Sequence, residues 1–166
     1  MRNLYVVANT AMVTTALAVP VTTGTATPKT MLQIAPTRPM RVFEWGISFN
    51  GSAAGTPIRC ELVETGTVFA TVTAHVAAGV QPYSDPNLPV STLTLGTAAT
   101  GYTASAEGTI VASRVGDMQQ IAPTNQYVKQ WPLGDEFQVL AARSLRVRVH
   151  NPGTAVDAYC YVIVID

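Results

Sequence analysis

The stretch 41–50 constrains the fold more than any other part of the chain. Phe43, Trp45, Ile47 and Phe49 fall on every second residue, so an extended backbone places four large apolar side chains on one face. A helix would scatter them around its circumference. The opposite face carries Val42, Glu44, Gly46 and Ser48, a thinner and wetter surface. Asn50-Gly51 follows at once, a pair that tolerates positive φ and so marks a turn. This segment is one wall of a two-sheet core, and the other apolar runs must supply the facing wall.

Several runs qualify. Met31 to Ile34 is a strand ended by Ala35-Pro36, and in Pro57 to Val63 the side chains of Ile58, Cys60 and Leu62 oppose Arg59 and Glu61. Val68 to Thr73 is β-branched. Further on, Tyr127-Val128 and Phe137 to Leu140 read as strands, and Leu145, Val147 and Val149 alternate with Arg146 and Arg148. In Tyr159 to Ile165 both faces are apolar, which places the strand at the centre of a sheet or under another subunit. Between about 74 and 125 the pattern fails. Pro82, Pro86 and Pro89 bracket a rigid loop holding Tyr83 and Asp85, and only 93–95 and 109–112 suggest brief strands. Long irregular loops tend to be functional surfaces. The expected fold is all-β: an antiparallel β-sandwich, jelly-roll-like with roughly eight strands. It spans residues 29–166 as one domain, with the long insertion at about 74–125.

The first 28 residues read as an extended N-terminal arm. Arg2, an apolar stretch and Ala16-Leu17-Ala18 have the outline of a signal peptide. Asn9, Thr10, Thr14 and Thr15 dilute the apolar run, and Arg2 is its single basic side chain, so the segment is expected to be retained. Pro20, Gly24 and Pro28 break it further. Such an arm buries too little to fold alone and would lie on its own sandwich or on a neighbour, dispensable for folding.

Charged residues make up 12% of the 166, about half the usual share, and Lys plus Arg balance Asp plus Glu at ten each. No net field is left to draw nucleic acid or an anionic membrane, so neither is an expected partner. A surface so poor in charge favours a protein covered by copies of itself or by a partner. Cys60 and Cys160 sit in strand-like runs, either as buried free thiols or as a single bridge between neighbouring strands.

No catalytic constellation emerges, and the chain is not expected to be an enzyme. His75 and His150 are the only histidines, and no serine sits in a nucleophile elbow. Asp135 and Glu136 are adjacent and face opposite ways on a strand, as do Glu61 and Glu64. Glu44 is expected to pair with Arg41 or Arg59. Asp85, Asp117 and Asp157 lack the spacing of a calcium loop, so no metal and no cofactor is expected. Arg146 and Arg148 form a positive rung whose default is pairing with Glu or a neighbour. Trp45 reads as core, Trp131 as a surface anchor, core plug or subunit contact.

Two stretches, Pro39 to Gly51 and Trp131 to Phe137 with Leu145 to Val149 behind it, resemble small β-rich virion proteins of tailed bacteriophages that decorate or cement the capsid. The likeness covers residues 29–166. It implies a jelly-roll-like sandwich, homo-oligomers that are often trimers, and binding to the outer surface of the major capsid protein lattice. Localisation would be the virion surface, after assembly in the host cytoplasm. The contact residues expected on that reading are Leu4, Tyr5, Val6 and Val7 of the arm, Tyr83 and Asp85 of the proline-rich loop, and Trp131. The competing reading is a carbohydrate- or receptor-binding sandwich of a fibre or adhesin, with Tyr83, Tyr102, Tyr127 and Trp131 as its aromatics.

Overall fold

The structure, a computed structural model, describes residues 2–12, 15–25 and 27–166. It is all-β apart from one 3-10 turn, Ala77–Gly79. The strands are β1 (Leu4–Ala8), β2 (Val21–Thr22), β3 (Lys29–Ile34), β4 (Met40–Phe49), β5 (Ile58–Thr65), β6 (Thr71–Ala74), β7 (Val80–Pro82), β8 (Gly101–Ala106), β9 (Ser113–Ile121), β10 (Gln126–Gln130), β11 (Phe137–Val139), β12 (Ser144–His150) and β13 (Asp157–Ile165). They form two antiparallel sheets, a β-sandwich. Sheet A runs β10-β4-β13-β1-β7, with β11 beside β4 and β2 beside β13; sheet B runs β6-β8-β3-β12-β5-β9.

The core lies between the sheets. Val42, Trp45, Ile47 and Phe49 of β4, Cys160, Val162 and Val164 of β13, and Tyr5 and Val7 of β1 form one wall. Leu32 and Ile34 of β3, Ile58, Cys60 and Leu62 of β5, and Leu145, Val147 and Val149 of β12 form the other. Cys60 and Cys160 are free buried thiols on opposite sheets. As the doubly apolar pattern requires, β13 is a central strand, flanked by β4 and β1.

One position departs from the expected stripe. Ile163 lies opposite Glu44 but Val164 lies opposite Val42, so Phe43 is an extra residue in β4. This β-bulge reverses the alternation: Val42 takes the core position at 0% exposure, and Phe43 is only half-buried. The carbonyl of Phe43 accepts the Trp131 N–H at 3.0 Å.

The first part of the expected arm lies on the chain's own sandwich, with a strand where Leu4 to Val7 suggest a short one. Residues 4–8 pair with β13 on one side and β7 on the other, inside sheet A. Asn9 extends the ladder with its side chain: its amide donates to the Ala158 carbonyl at 3.0 Å and accepts the Cys160 N–H at 2.8 Å. Only then does the chain leave the sheet, exposing Leu17 and Val19 before β2 returns to β13. Of the expected arm, Met1, Val13, Thr14 and Ala26 lie outside the described residues.

The insertion is more regular than expected. β7 extends sheet A beyond β1, while β6 and β8 extend sheet B beyond β3, and β9 forms the opposite edge of sheet B. Leu93 makes a single bridge to Pro36, and 109–112 carry no strand. Two buried side chains of sheet B hold the insertion down. Gln33 donates to the Ala70, Ala98 and Ala99 carbonyls and accepts the Ala70 N–H. Arg146, at 0% exposure, donates to the Val68 and Glu107 carbonyls at 2.7 and 2.8 Å.

Deleting residues 2–8 should abolish cooperative unfolding, because β13 loses one of its two flanking strands and the core loses Tyr5 and Val7. Calorimetry of the truncated chain checks this: a sharp transition near that of the full chain would return these residues to a dispensable arm.

Candidate functional site

The residues expected to touch a partner do not form one site. Tyr5 and Val7 face the core at 1% and 0% exposure, which removes them as contacts. Their neighbours Leu4 and Val6 are half-buried on the outer face of sheet A. Tyr83 is 59% exposed at the start of the proline-rich loop. That loop is fastened to the sandwich, since the Tyr83 N–H donates to the Leu4 carbonyl at 2.7 Å and the Tyr5 hydroxyl to the Pro89 carbonyl at 2.7 Å. Asp85 accepts the Asn87 N–H at 2.9 Å and stiffens its turn. Trp131 lies beside β10, at the opposite edge of the same sheet. It is half-buried, with Lys129 Nζ 5.0 Å from its ring centre and Phe137 6.3 Å away.

The carboxylates are spent on structure. Asp117 is in β9, and its two oxygens receive Trp45 Nε1–H at 3.1 Å, the Tyr127 hydroxyl at 2.8 Å, Gln119 at 3.1 Å and Lys129 at 3.2 Å. Burial pushes this carboxyl up, but the hydrogen bonds from Tyr127, Gln119 and Lys129 outweigh it and hold it below its ordinary 3.8. Burial and the Asp117 carboxylate push the Tyr127 hydroxyl up to about 12. Glu136 is screened from solvent between Arg2 and Arg41. The Gly134 N–H, working against burial and aided by its own N–H and the two arginines, draws it down to about 2. Glu44 therefore does not pair with Arg41 or Arg59; it accepts the Tyr161 hydroxyl at 2.6 Å. Gly46 makes room for this, because a Cβ there would stand 2.6 Å from the Tyr161 ring. His75 is buried, its Nε2–H donating to the Ala8 carbonyl at 2.8 Å, and burial pulls its pKa below 6.5 despite that bond.

Two concave sites stand out among the described residues. A depression of about 750 Å³ at one end of the sandwich is lined by Asn50, Thr56, Pro123, Asn151 and Asp157. Its polar groups satisfy one another: Asp157 accepts the Thr22 hydroxyl at 2.9 Å, and Asn151 donates to the Thr154 carbonyl at 2.7 Å. The second is a cleft of about 510 Å³ on the outer face of sheet B, lined by Pro28, Arg59, Glu61, Met118, Arg148 and His150. The register across β9, β5 and β12 builds its floor from two rungs, Gln120–Arg59–His150 and Met118–Glu61–Arg148. Arg148 reaches Glu61 at 2.8 Å, and Arg59 Nη2–H donates to His150 Nδ1 at 2.8 Å. The alternation of Arg59 with Glu61 and of Arg146 with Arg148 put these side chains on outward faces. Which strands stood side by side was not written in either run, so the cleft was not foreseen.

No protein-family model, no curated protein and no solved structure matches the chain. Among the described residues no group of His, Cys, Asp and Glu is placed to hold a metal ion.

Asp117→Ala strands the Trp45 N–H, the Tyr127 hydroxyl and the Lys129 ammonium, and should cost about 2–4 kcal/mol in chemical denaturation. Acid should destabilise in two stages. His75, Asp117 and Glu136 all have folded values below their unfolded ones, so the unfolded chain takes up protons first as pH falls. Stability should drop first below 6.5 through His75, then further between 4.5 and about 2 as the carboxyls follow. Denaturation midpoints across that range that stay level or rise would contradict these assignments.

Proposed function

We propose that the chain is a structural binding protein: a jelly-roll sandwich that works by being held against other protein subunits, as a decoration or cement protein on the outside of a bacteriophage capsid. The observation that carries the binding role is the outer face of sheet A. There Tyr161 and Ile165 of β13 stand beside Leu4 and Val6 of β1, half-buried apolar side chains around the buried Ile163 of the central strand. Such a stripe has most to gain from cover by another subunit. The wider surface agrees. Leu17, Val19, Val90, Met118 and Leu133 are 65–93% exposed in a chain with only 12% charged residues.

The jelly-roll reading is supported by nested pairing. β1 pairs with β13, β3 with β12, β4 with β10 and β5 with β9. Successive pairs alternate between the sheets, as a folded-over ribbon wound around a core would place them. The capsid surface as partner, and self-association as trimers, come from the resemblance of 39–51 and 131–149. The action would be mechanical, a rigid body bridging capsid subunits and raising the barrier to their separation.

Shells assembled from the major capsid protein of the same virus should bind the purified chain and rupture at a higher temperature. Val6→Glu places a charge in the outward stripe without touching the core face and should remove the effect while the variant stays folded by circular dichroism. Shells that ignore the intact chain, or that bind Val6→Glu equally, would refute the reading. A glycan array lit above background by the intact chain would favour the carbohydrate-binding alternative.

A further inference from the structure

The outer face of sheet B is covered over only part of its width. Gln33 and Arg146 hold the insertion above β3 and the near part of β12. The corner toward His150, across β12, β5 and β9, is the cleft of about 510 Å³. Its charges do not close on themselves. Arg2, Arg41, Arg114, Lys129, Arg146 and Arg148 each meet a carboxylate. Arg59 does not: among the described residues its guanidinium is held against the His150 ring instead. Arg148 lines the same cleft, and its Nε–H is shielded from solvent with no acceptor among the described residues. A shielded donor left unmatched is costly until an acceptor arrives.

We propose that this cleft recognises a carboxylate, and that its occupant is an acidic side chain on an extended segment of a partner protein. The planar fork of Arg59 suits two carboxylate oxygens at once. Arg59, Arg148 and Glu61 sum to a single positive charge, which balances a monoanion, while Glu61 would repel a doubly charged phosphate. Pro28 and Met118, the latter 65% exposed, offer apolar walls for the methylene stem of a glutamate. Gln120 and the outer edge of β9, which among the described residues pairs only with β5, supply amide groups for a neighbouring backbone. The protein partner rests on the binding role argued above, but the two stand apart experimentally. Shell binding that depends on Val6 tests the stripe on sheet A, and the cleft on sheet B is tested without shells.

The full chain is titrated with a short glutamate-containing peptide, its glutamine counterpart, acetate and glucuronate, followed by backbone and arginine side-chain NMR shifts. The glutamate peptide should saturate shifts at Arg59, Gln120 and His150, and the glutamine peptide should bind about tenfold more weakly or worse. Arg59→Gln should remove this binding, whereas Arg38→Gln, exposed and outside the cleft, should not. If Arg59→Gln fails to fold, the shift map of the intact chain decides alone. No saturable shifts, equal binding of both peptides, shifts centred away from the cleft, or equal loss in Arg38→Gln would overturn the site. Saturation by glucuronate but not by the peptide would overturn the protein occupant.

Discussion

Trp45 can be buried whole only because its N–H finds an acceptor at the rim of the core. An indole sealed between two sheets with its donor unpaired would be a liability, and the facing strands offer apolar side chains alone. The acceptor is Asp117, brought in from β9, the edge strand of sheet B. A shielded carboxylate needs donors in turn, and Tyr127 and Lys129 supply them from β10, the edge strand of sheet A. One buried aromatic thus commits two edge strands, one from each sheet, to lie side by side. The Tyr127 ring, 5.5 Å from the Trp45 ring, fills the remaining gap. Gly116 serves the same closure: it is the extra residue of β9 between Val115 and Asp117, and its bare Cα lets Phe137 of β11 press against the strand.

Polar side chains elsewhere divide the surface rather than the core. Arg146 and Gln33 do for the insertion what Asp117 does for the edge: each is buried and each spends its donors on loop carbonyls. The insertion is thereby fixed over one part of sheet B, leaving a charged corner bare. Sheet A instead carries half-buried apolar side chains, Leu4, Val6, Tyr161 and Ile165, along its central strands. The molecule therefore presents two unlike faces, one apolar and one carrying a surplus guanidinium.

Much of the sandwich was legible because its core strands keep their alternation. β5, β12 and β13 stand where their periodicity put them, and the doubly apolar β13 is central. What could not be read was local insertion. The bulge at Phe43 costs one residue of register, enough to move Val42 inward and Phe43 away, and no propensity in the sequence marks it. β8 and β9 were missed for a different reason. Thr, Ala and Ser fill β8, and β9 is an edge strand interrupted at Gly116, so neither shows a clean period of two. The place of residues 4–8 was left open because a run of leucine, tyrosine, valine and alanine looks alike in an arm or in a sheet; only pairing with β13, some 150 residues away, decides. The same blindness to pairing hid the cleft, whose Arg59 and His150 come together only once β5 and β12 are adjacent.

β12 and β13 each stand at the middle of a sheet and are the last two strands in chain order. A polypeptide emerging from the ribosome therefore exposes β1, β3, β4 and β5 long before their partners exist, and neither half of the core can close. Collapse must wait for the final stretch, as the predominance of long-range pairing also implies. During that wait the apolar strands are bare to solvent. Production of this protein in quantity would accordingly draw on chaperone capacity during synthesis, whatever its stability once complete.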